Sequence, residues 1–371
     1  MKVLIATGIY PPSVGGPATY SKLLYDNLPS HDIDVVVASF DNLRALPVGV
    51  RHFLYFIKVL IEGIGKDIIY AQDPVSVGYP AMWAAKILKK KFVLKIVGDY
   101  AWEQGVQRFG VQESLDDFVK DLRDYSPKVL RMKKIQKKVA ERADKIIVPS
   151  RYLKKIVGQW GINENKINVI YNAFEGVGEL PDNMANLRDE VGFVGPTIVT
   201  AGRLVPWKGF ETLVSVVDEL KDEFKYIKLL IIGGGPDKQK LEQLIVKKQL
   251  FKNVLLTGVM DKQNLFKHIS AADLFVLNTG YEGFSHQLLE VLALKTPIIT
   301  TRIGGNPEII IDGENGLLVN YDDKEELKDA IRKVLNNKSL AEGFVTKGGD
   351  SVKEFSLNRM ITELVMELKT L

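Results

Sequence analysis

The chain has no cysteine in its 371 residues, which excludes disulfide staples and thiolate-held metals. Histidine is scarce as well. His31, His52, His268 and His286 are scattered, and no His-x-x-x-His pair exists to hold a metal. Nor does one sign of charge dominate: a net +4 over this length is too small to point to nucleic acid. Long apolar runs are missing too. The greasiest window, Phe53 to Ile64, is broken by Lys58 and Glu62 and falls short of the ~20 residues a membrane span needs. Met1 to Thr7 enters a strand pattern directly, with no apolar leader, so a cytoplasmic protein is expected. No strict Gly-x-Gly-x-x-Gly follows the first strand pattern of either half, which disfavours a dinucleotide oxidoreductase. The absences leave a metal-free protein with no cofactor as the expectation.

What is present is an ordinary globular balance, 46% apolar and 26% charged, long enough for two domains. Apolar, β-branched runs at Lys2–Thr7, Ile33–Ala38, Ile68–Ala71, Phe92–Val97, Ile146–Pro149 and Ile167–Ile170 alternate with helical spacing. That alternation implies a parallel sheet covered on both faces, a Rossmann-like α/β domain. Residues 98 to 126 read as a long irregular stretch, and Gly176 to Asn183 have linker composition, which puts a boundary near residue 172. The alternation then repeats, with strands at Thr197–Ala201, Lys228–Ile232, Val254–Thr257, Leu274–Leu277, Pro297–Thr300 and Leu317–Val319. A second Rossmann-like domain is expected.

The stretch from Tyr281 to Glu290 follows one of these strands and opens a helical run, Ser285 to Leu294. In an open α/β sheet, such turns gather at the carboxyl ends of the strands, where unpaired helix amides and the helix dipole favour an anion. With about 100° per residue, Glu290 lies well off the apolar arc of Leu288, Leu289, Leu292 and Ala293. A carboxylate near a phosphate is unfavourable unless it serves another part of the ligand. Glu290 is therefore read as accepting from a ribose-type diol, which favours a nucleotide over bare phosphate as the ligand. The turn Gly202 to Gly209 carries Arg203 and Lys208 to the same strand ends, where a guanidinium fork and an ammonium together neutralise a diphosphate. Gly15-Gly16 closes the loop after the first strand, and a paired glycine there is either a flexible turn or a place where the backbone approaches a ligand closely.

Glu282 and Glu290, with Gly283-Phe284 between them, resemble the E-x7-E motif of the retaining glycosyltransferases of family 4, the group 1 transferases. That family has the GT-B fold, two Rossmann-like parallel-sheet domains facing across a cleft. The resemblance implies residues 1–171 as the acceptor-side domain, 172–355 as the nucleotide-sugar donor domain, and a terminal helix, 356–371, packing back on the first. It also implies that Arg203 and Lys208 hold the donor diphosphate, Glu290 the ribose, and Glu282 the sugar hydroxyls, with Gly283, Phe284 and Ser285 between. Gly15 and Gly16 then face the diphosphate, Gly234 lies in the glycine-rich turn Gly233–Pro236, Val259 meets the base through backbone, and Gly304-Gly305 is the late glycine loop. Family members often place a histidine after the strand that here ends at Val97. This chain has none there, and Asp99 is the substitute, either facing the sugar or capping a helix.

The function so implied is transfer of a sugar, of hexosyltransferase type, from a nucleotide-diphosphate sugar to an acceptor hydroxyl with retention and without metal. No second carboxylate is evident for a double displacement, which favours front-face attack. Two alternatives stay open: another GT-B enzyme such as a nucleotide-sugar epimerase, and a non-catalytic nucleotide-sugar-binding protein. The partners expected are the donor, an acceptor that is a sugar, glycolipid or other hydroxyl compound, and no nucleic acid. Seven basic residues between Lys128 and Arg142, interleaved with Val129, Met132, Ile135 and Val139, are either a solvated helix face or a peripheral contact with an anionic membrane.

Overall fold

Strands buried on both faces are dominated by apolar residues, and Leu274–Leu277 and Leu317–Val319 are apolar and buried along their whole length. The computed structural model describes residues 1–13, 15–120, 125–174, 176–177 and 184–371. These divide into two units, Met1–Tyr171 with Asn358–Leu371, and Asn172–Leu357. Val14, Glu175 and most of the linker-like stretch, 178–183, lie outside the described residues.

In the first unit the order is β1 (Lys2–Thr7), α1 (Gly16–Asn27), β2 (Asp34–Ser39), α2 (Val48–Glu62), β3 (Ile68–Ala71), α3 (Gly78–Leu88) and β4 (Lys91–Lys95). Then come α4 (Tyr100–Arg108), α5 (Leu115–Lys120), α6 (Pro127–Arg142), β5 (Lys145–Val148), α7 (Arg151–Gln159) and β6 (Ile167–Val169). All pairings are parallel, in the order β2-β1-β3-β4-β5-β6. Ser150 caps α7 by accepting from the Leu153 amide at 3.1 Å.

The stretch read as irregular, 98 to 126, instead contains α4 and α5. Asp99 starts α4, and its inner face is only Ala101, Trp102 and Gly105. A side of one alanine, one tryptophan and one glycine gives almost no periodic apolar signal, although Trp102 still anchors the helix inside.

The second unit runs α8 (Met184–Glu190), β7 (Thr197–Ala201), α9 (Phe210–Leu220), β8 (Lys228–Ile232), α10 (Lys238–Lys247), β9 (Val254–Gly258), α11 (Lys262–Ala271) and β10 (Leu274–Leu277). It continues with α12 (His286–Ala293), β11 (Ile298–Thr301), β12 (Leu317–Val319), α13 (Lys324–Asn336) and α14 (Lys338–Ser351); α15 (Leu357–Lys369) closes the chain and, from Asn358 on, belongs to the first unit. Its parallel sheet has the order β12-β11-β10-β7-β8-β9. Val214, Val217, Leu229, Ile231, Val276 and Ile331 fill one core beneath it, each side chain of that size contributing about 1.5 to 3 kcal/mol when buried.

The strand order fixes where ligands go. From β7 the chain steps outward through β8 to β9, then returns to the other side of β7 for β10. The turns after β7 and β10 therefore diverge, and such a switch point leaves a crevice at the carboxyl edge of the sheet. The first unit has its own switch point, between β1 and β3. Among the described residues, no helix is long and apolar enough to cross a membrane.

Candidate nucleotide-sugar site

The turn after β7 is held in place by the turn after β10. Gly280 N–H donates to the Trp207 carbonyl at 2.7 Å, and Asn278 Nδ2 donates to the Gly209 carbonyl at 3.1 Å. Gly209 sits at φ 55° with Asn278 so close that a Cβ would fall 2.4 Å from Nδ2, so only glycine fits there. This clamp carries Lys208 across to β10, where its Nζ donates to Glu282 Oε1. Both side chains are mostly buried, 14% and 19% exposed. The lysine and the first glutamate of the motif thus form an ion pair at the switch point.

From below, the turn after β11 supports the motif. Gly305 N–H donates to the Glu282 carbonyl at 2.9 Å, and a Cβ on Gly304, at φ 62°, would lie 2.0 Å from that same oxygen. Ser285 is buried and caps α12, accepting from the Leu288 amide at 3.4 Å. Phe284 is buried against Phe355 and His286, with ring centroids 5.6 and 6.2 Å apart. Gly283 lies between them, with the Gly305 turn against its carbonyl. The motif is thus held largely through backbone contacts, and α12 begins at this edge of the sheet with the positive end of its dipole.

Arg203 lies on the rim. It is exposed and makes no hydrogen bond or ion pair among the described residues. Glu290, one turn into α12, forms an ion pair with Lys262, whose Nζ lies 3.1 Å from Oε1, and Lys262 opens α11. On the β8–β9 side, Gly234 approaches Val259, whose Cγ2 would be 3.2 Å from a Cβ on the glycine. Val259 is 82% exposed, an unfilled apolar contact beside the turn.

Arg203, Lys208, Gly234, Val259, Glu282, Gly283, Phe284, Ser285 and Glu290 all sit at the carboxyl edge of the second sheet. Gly15 and Gly16 belong to the first unit, where Gly15 precedes α1 and a Cβ on Gly16 would meet nothing within 4 Å. Asp99 does not join either group as a ligand-facing residue. It is fully buried, accepting from the Trp102 amide at 2.9 Å, Gln136 Nε2 at 2.9 Å and Trp160 Nε1 at 3.1 Å. Burial pushes its carboxyl above the usual range, and those donors together with nearby Lys133 pull it down. The reading of Asp99 as a sugar-facing residue is corrected to a helix cap that ties α4, α6 and α7 together.

Sequence reasoning missed two residues. Lys262, at the start of α11, lies against Glu290, and nothing in the spacing links the two. His286 pairs its Nε2 with Asn172 Nδ2 at 3.0 Å, and only its position inside the motif could have marked it. Among the described residues, no cluster of three His, Cys, Asp or Glu side chains is placed to hold a metal ion.

Comparison with known proteins gives the same picture from outside the geometry. The family model for group 1 glycosyl transferases matches residues 187–349, and that for Glycosyltransferase Family 4 matches residues 14–175. An uncharacterized glycosyltransferase of Methanocaldococcus jannaschii is 25% identical across 98% of this chain and 97% of its own. A second from that organism is 31% identical over 59% of this chain. For three other curated matches, that one included, the chain spans 59%, 57% and 38% of the relative's length. The crystal structure of Anabaena HepE in complex with UDP superposes over the whole of both chains with a TM-score of 0.78 at 18% identity, a likeness of fold. With one model on each half and a sheet pair to match, the chain belongs to the group 1 glycosyltransferases, with the GT-B fold.

Proposed function

We propose that this chain transfers a sugar, of hexose type, from a nucleotide-diphosphate sugar to an acceptor hydroxyl with retention of anomeric configuration and with no metal or cofactor. The observation that carries the reading is the Lys208–Glu282 pair at the switch point, with the exposed Arg203, which has no partner among the described residues, beside it. Before donor binds, Lys208 and Glu282 neutralise each other, and Arg203 is the open positive charge that draws the diphosphate in. As the sugar–phosphate bond breaks, negative charge grows on the departing diphosphate, and Arg203, Lys208 and the positive end of the α12 dipole stabilise it. Glu282 then turns to the sugar hydroxyls and Glu290 exchanges Lys262 for the ribose diol.

UDP in the HepE structure supports a uridine nucleotide as the first donor to try. The acceptor is proposed as a sugar, glycolipid or other hydroxyl compound, reached from the cytoplasm, with the basic face of α6, Lys128 to Arg142, making peripheral contact with anionic membrane. Calorimetric titration with UDP, GDP and ADP in chelator tests the core of the reading. One nucleotide binds at micromolar concentration, and Arg203→Ala weakens it by roughly 10 to 150-fold, the effect of losing a charge-assisted bond of ~1.5 to 3 kcal/mol. Absence of binding for all three sinks the proposal. Front-face attack further requires that intact mass after incubation with donor alone show an unmodified chain; a glycosyl adduct means double displacement instead.

A further inference from the structure

Helix α2 carries apolar residues on its outer face as well as its inner one, where an amphipathic surface helix keeps a single apolar face. Its inner face is conventional: Tyr55 and Val59 are buried against the sheet. Its outer face is apolar as well. Val50, Phe53, Leu54 and Ile61 are exposed, Ile57 is half-buried, and Ile64 continues the row just past the helix end. At about 100° per residue these six fall within an arc of roughly 100°. Phe53 and Ile61 are each 62% exposed and Ile64 66%. A stripe of that length goes well beyond the single apolar side chains that surfaces ordinarily carry.

The neighbours of the stripe are basic. Helices α2, α3 and α6 pack in that order, and Gly63, at the end of α2, lies against Leu88 at the end of α3. Ile87 on α3 is exposed and lies beside Lys86 and Lys89. Between α3 and α6 is a cavity of about 240 Å³ lined by Trp83, Lys86, Lys90, Lys138, Arg142 and Asp144. Its one carboxylate is occupied, since Asp144 accepts from the Phe92 amide at 2.8 Å and lies 3.6 Å from Lys91. Trp83 is flanked by cations, with Lys86 Nζ 5.1 Å and Lys138 Nζ 5.2 Å from its ring. An apolar helix face, an amphipathic tryptophan and a cationic groove side by side match the layers of an anionic leaflet: acyl chains, interface and headgroup phosphates.

We propose that the α2–α3–α6 face docks on an anionic phospholipid bilayer, with α2 inserting its outward stripe and the α3–α6 groove taking lipid phosphate. This rests on the membrane contact proposed above for α6 and moves its anchor to α2. A protein docked this way meets acceptors that are themselves held in the membrane.

Vesicle flotation of the full chain tests it, with phosphatidylcholine vesicles against equimolar phosphatidylcholine and phosphatidylglycerol. The wild type floats with the anionic vesicles and not with the zwitterionic ones at physiological salt. Phe53→Glu with Ile61→Glu lowers partition at least tenfold. Lys86→Glu with Lys138→Glu lowers it at least as much, since each basic residue near the surface is worth about fivefold. UDP titration of both variants stays at the wild-type value, which shows folded protein and keeps this test separate from that of sugar transfer. Failure of the wild type to float with anionic vesicles, or variants that float as well as it does, overturns the proposal. So does a wild-type dimer that the α2 variant dissociates without any vesicle binding, which would assign the stripe to a second copy of this chain.

Discussion

At the scale of single residues, the same side chain type serves opposite ends depending on what surrounds it. Asp99 and Glu282 are both acidic residues in turns that follow strands, and sequence alone offers the same chemistry to each. The difference is in their donors: three N–H groups surround Asp99 inside the first unit, whereas Glu282 has a lysine that a ligand can replace. Asp99→Ala removes a helix cap and strands two buried side-chain donors, so a loss of about 2 to 4 kcal/mol is expected in urea unfolding at neutral pH. Nucleotide affinity stays unchanged, and a fall in affinity without a fall in stability would restore a ligand-facing role. The sign of the pH dependence follows from burial, which raises the folded carboxyl above its ordinary value. The folded state keeps this proton where the unfolded chain has lost it. Its contribution is therefore full below the ordinary carboxylate range and declines as pH rises through the folded value, so the gap between wild type and variant is wider in acid than at neutrality.

At the scale of elements, strands and turns were legible and charge partners were not. A strand buried on both faces tends to a continuous apolar run, so β10 and β12 could be read to the residue from Leu274 and Leu317 onward. Pairing is different, because Lys208–Glu282 and Lys262–Glu290 join residues far apart in sequence or on separate helices, and only strand order brings them together. Helices α13 and α14 were not read at all, although Leu327, Ala330, Ile331 and Val334 are buried at helical spacing. Glycines divide along the same line. In Gly209→Ala, the positive φ and the contact with Asn278 cost about 2 to 4 kcal/mol together, and moving the neighbouring Lys208 weakens nucleotide binding roughly tenfold or more. Gly16→Ala adds its methyl to open space and leaves stability within about 0.5 kcal/mol. If the diphosphate passes over Gly16, affinity falls in that variant while the unfolding midpoint does not. Equal stability in the two variants would show that the β7–β10 clamp does not hold the turn.

At the scale of the whole molecule, the chain has two sheets, each with its own core and its own switch point. Every side chain proposed to grip the nucleotide, Arg203, Lys208, Glu282 and Glu290, belongs to the second unit. A ligand that binds only folded protein stabilises what it binds, by about 2.7 kcal/mol at a hundred times its dissociation constant. For a domain of this size that corresponds to a rise of about 5 to 10 °C in the unfolding midpoint. Scanning calorimetry is therefore expected to resolve two transitions and to show saturating UDP raising one of them. Gly209→Ala lowers that same transition, since its clash is inside the second unit, while Asp99→Ala lowers the other. The two variants thus label the transitions independently of the ligand. A single transition shifted alike by both substitutions would mean that the units unfold as one body, and the nucleotide linkage would then act on the whole chain.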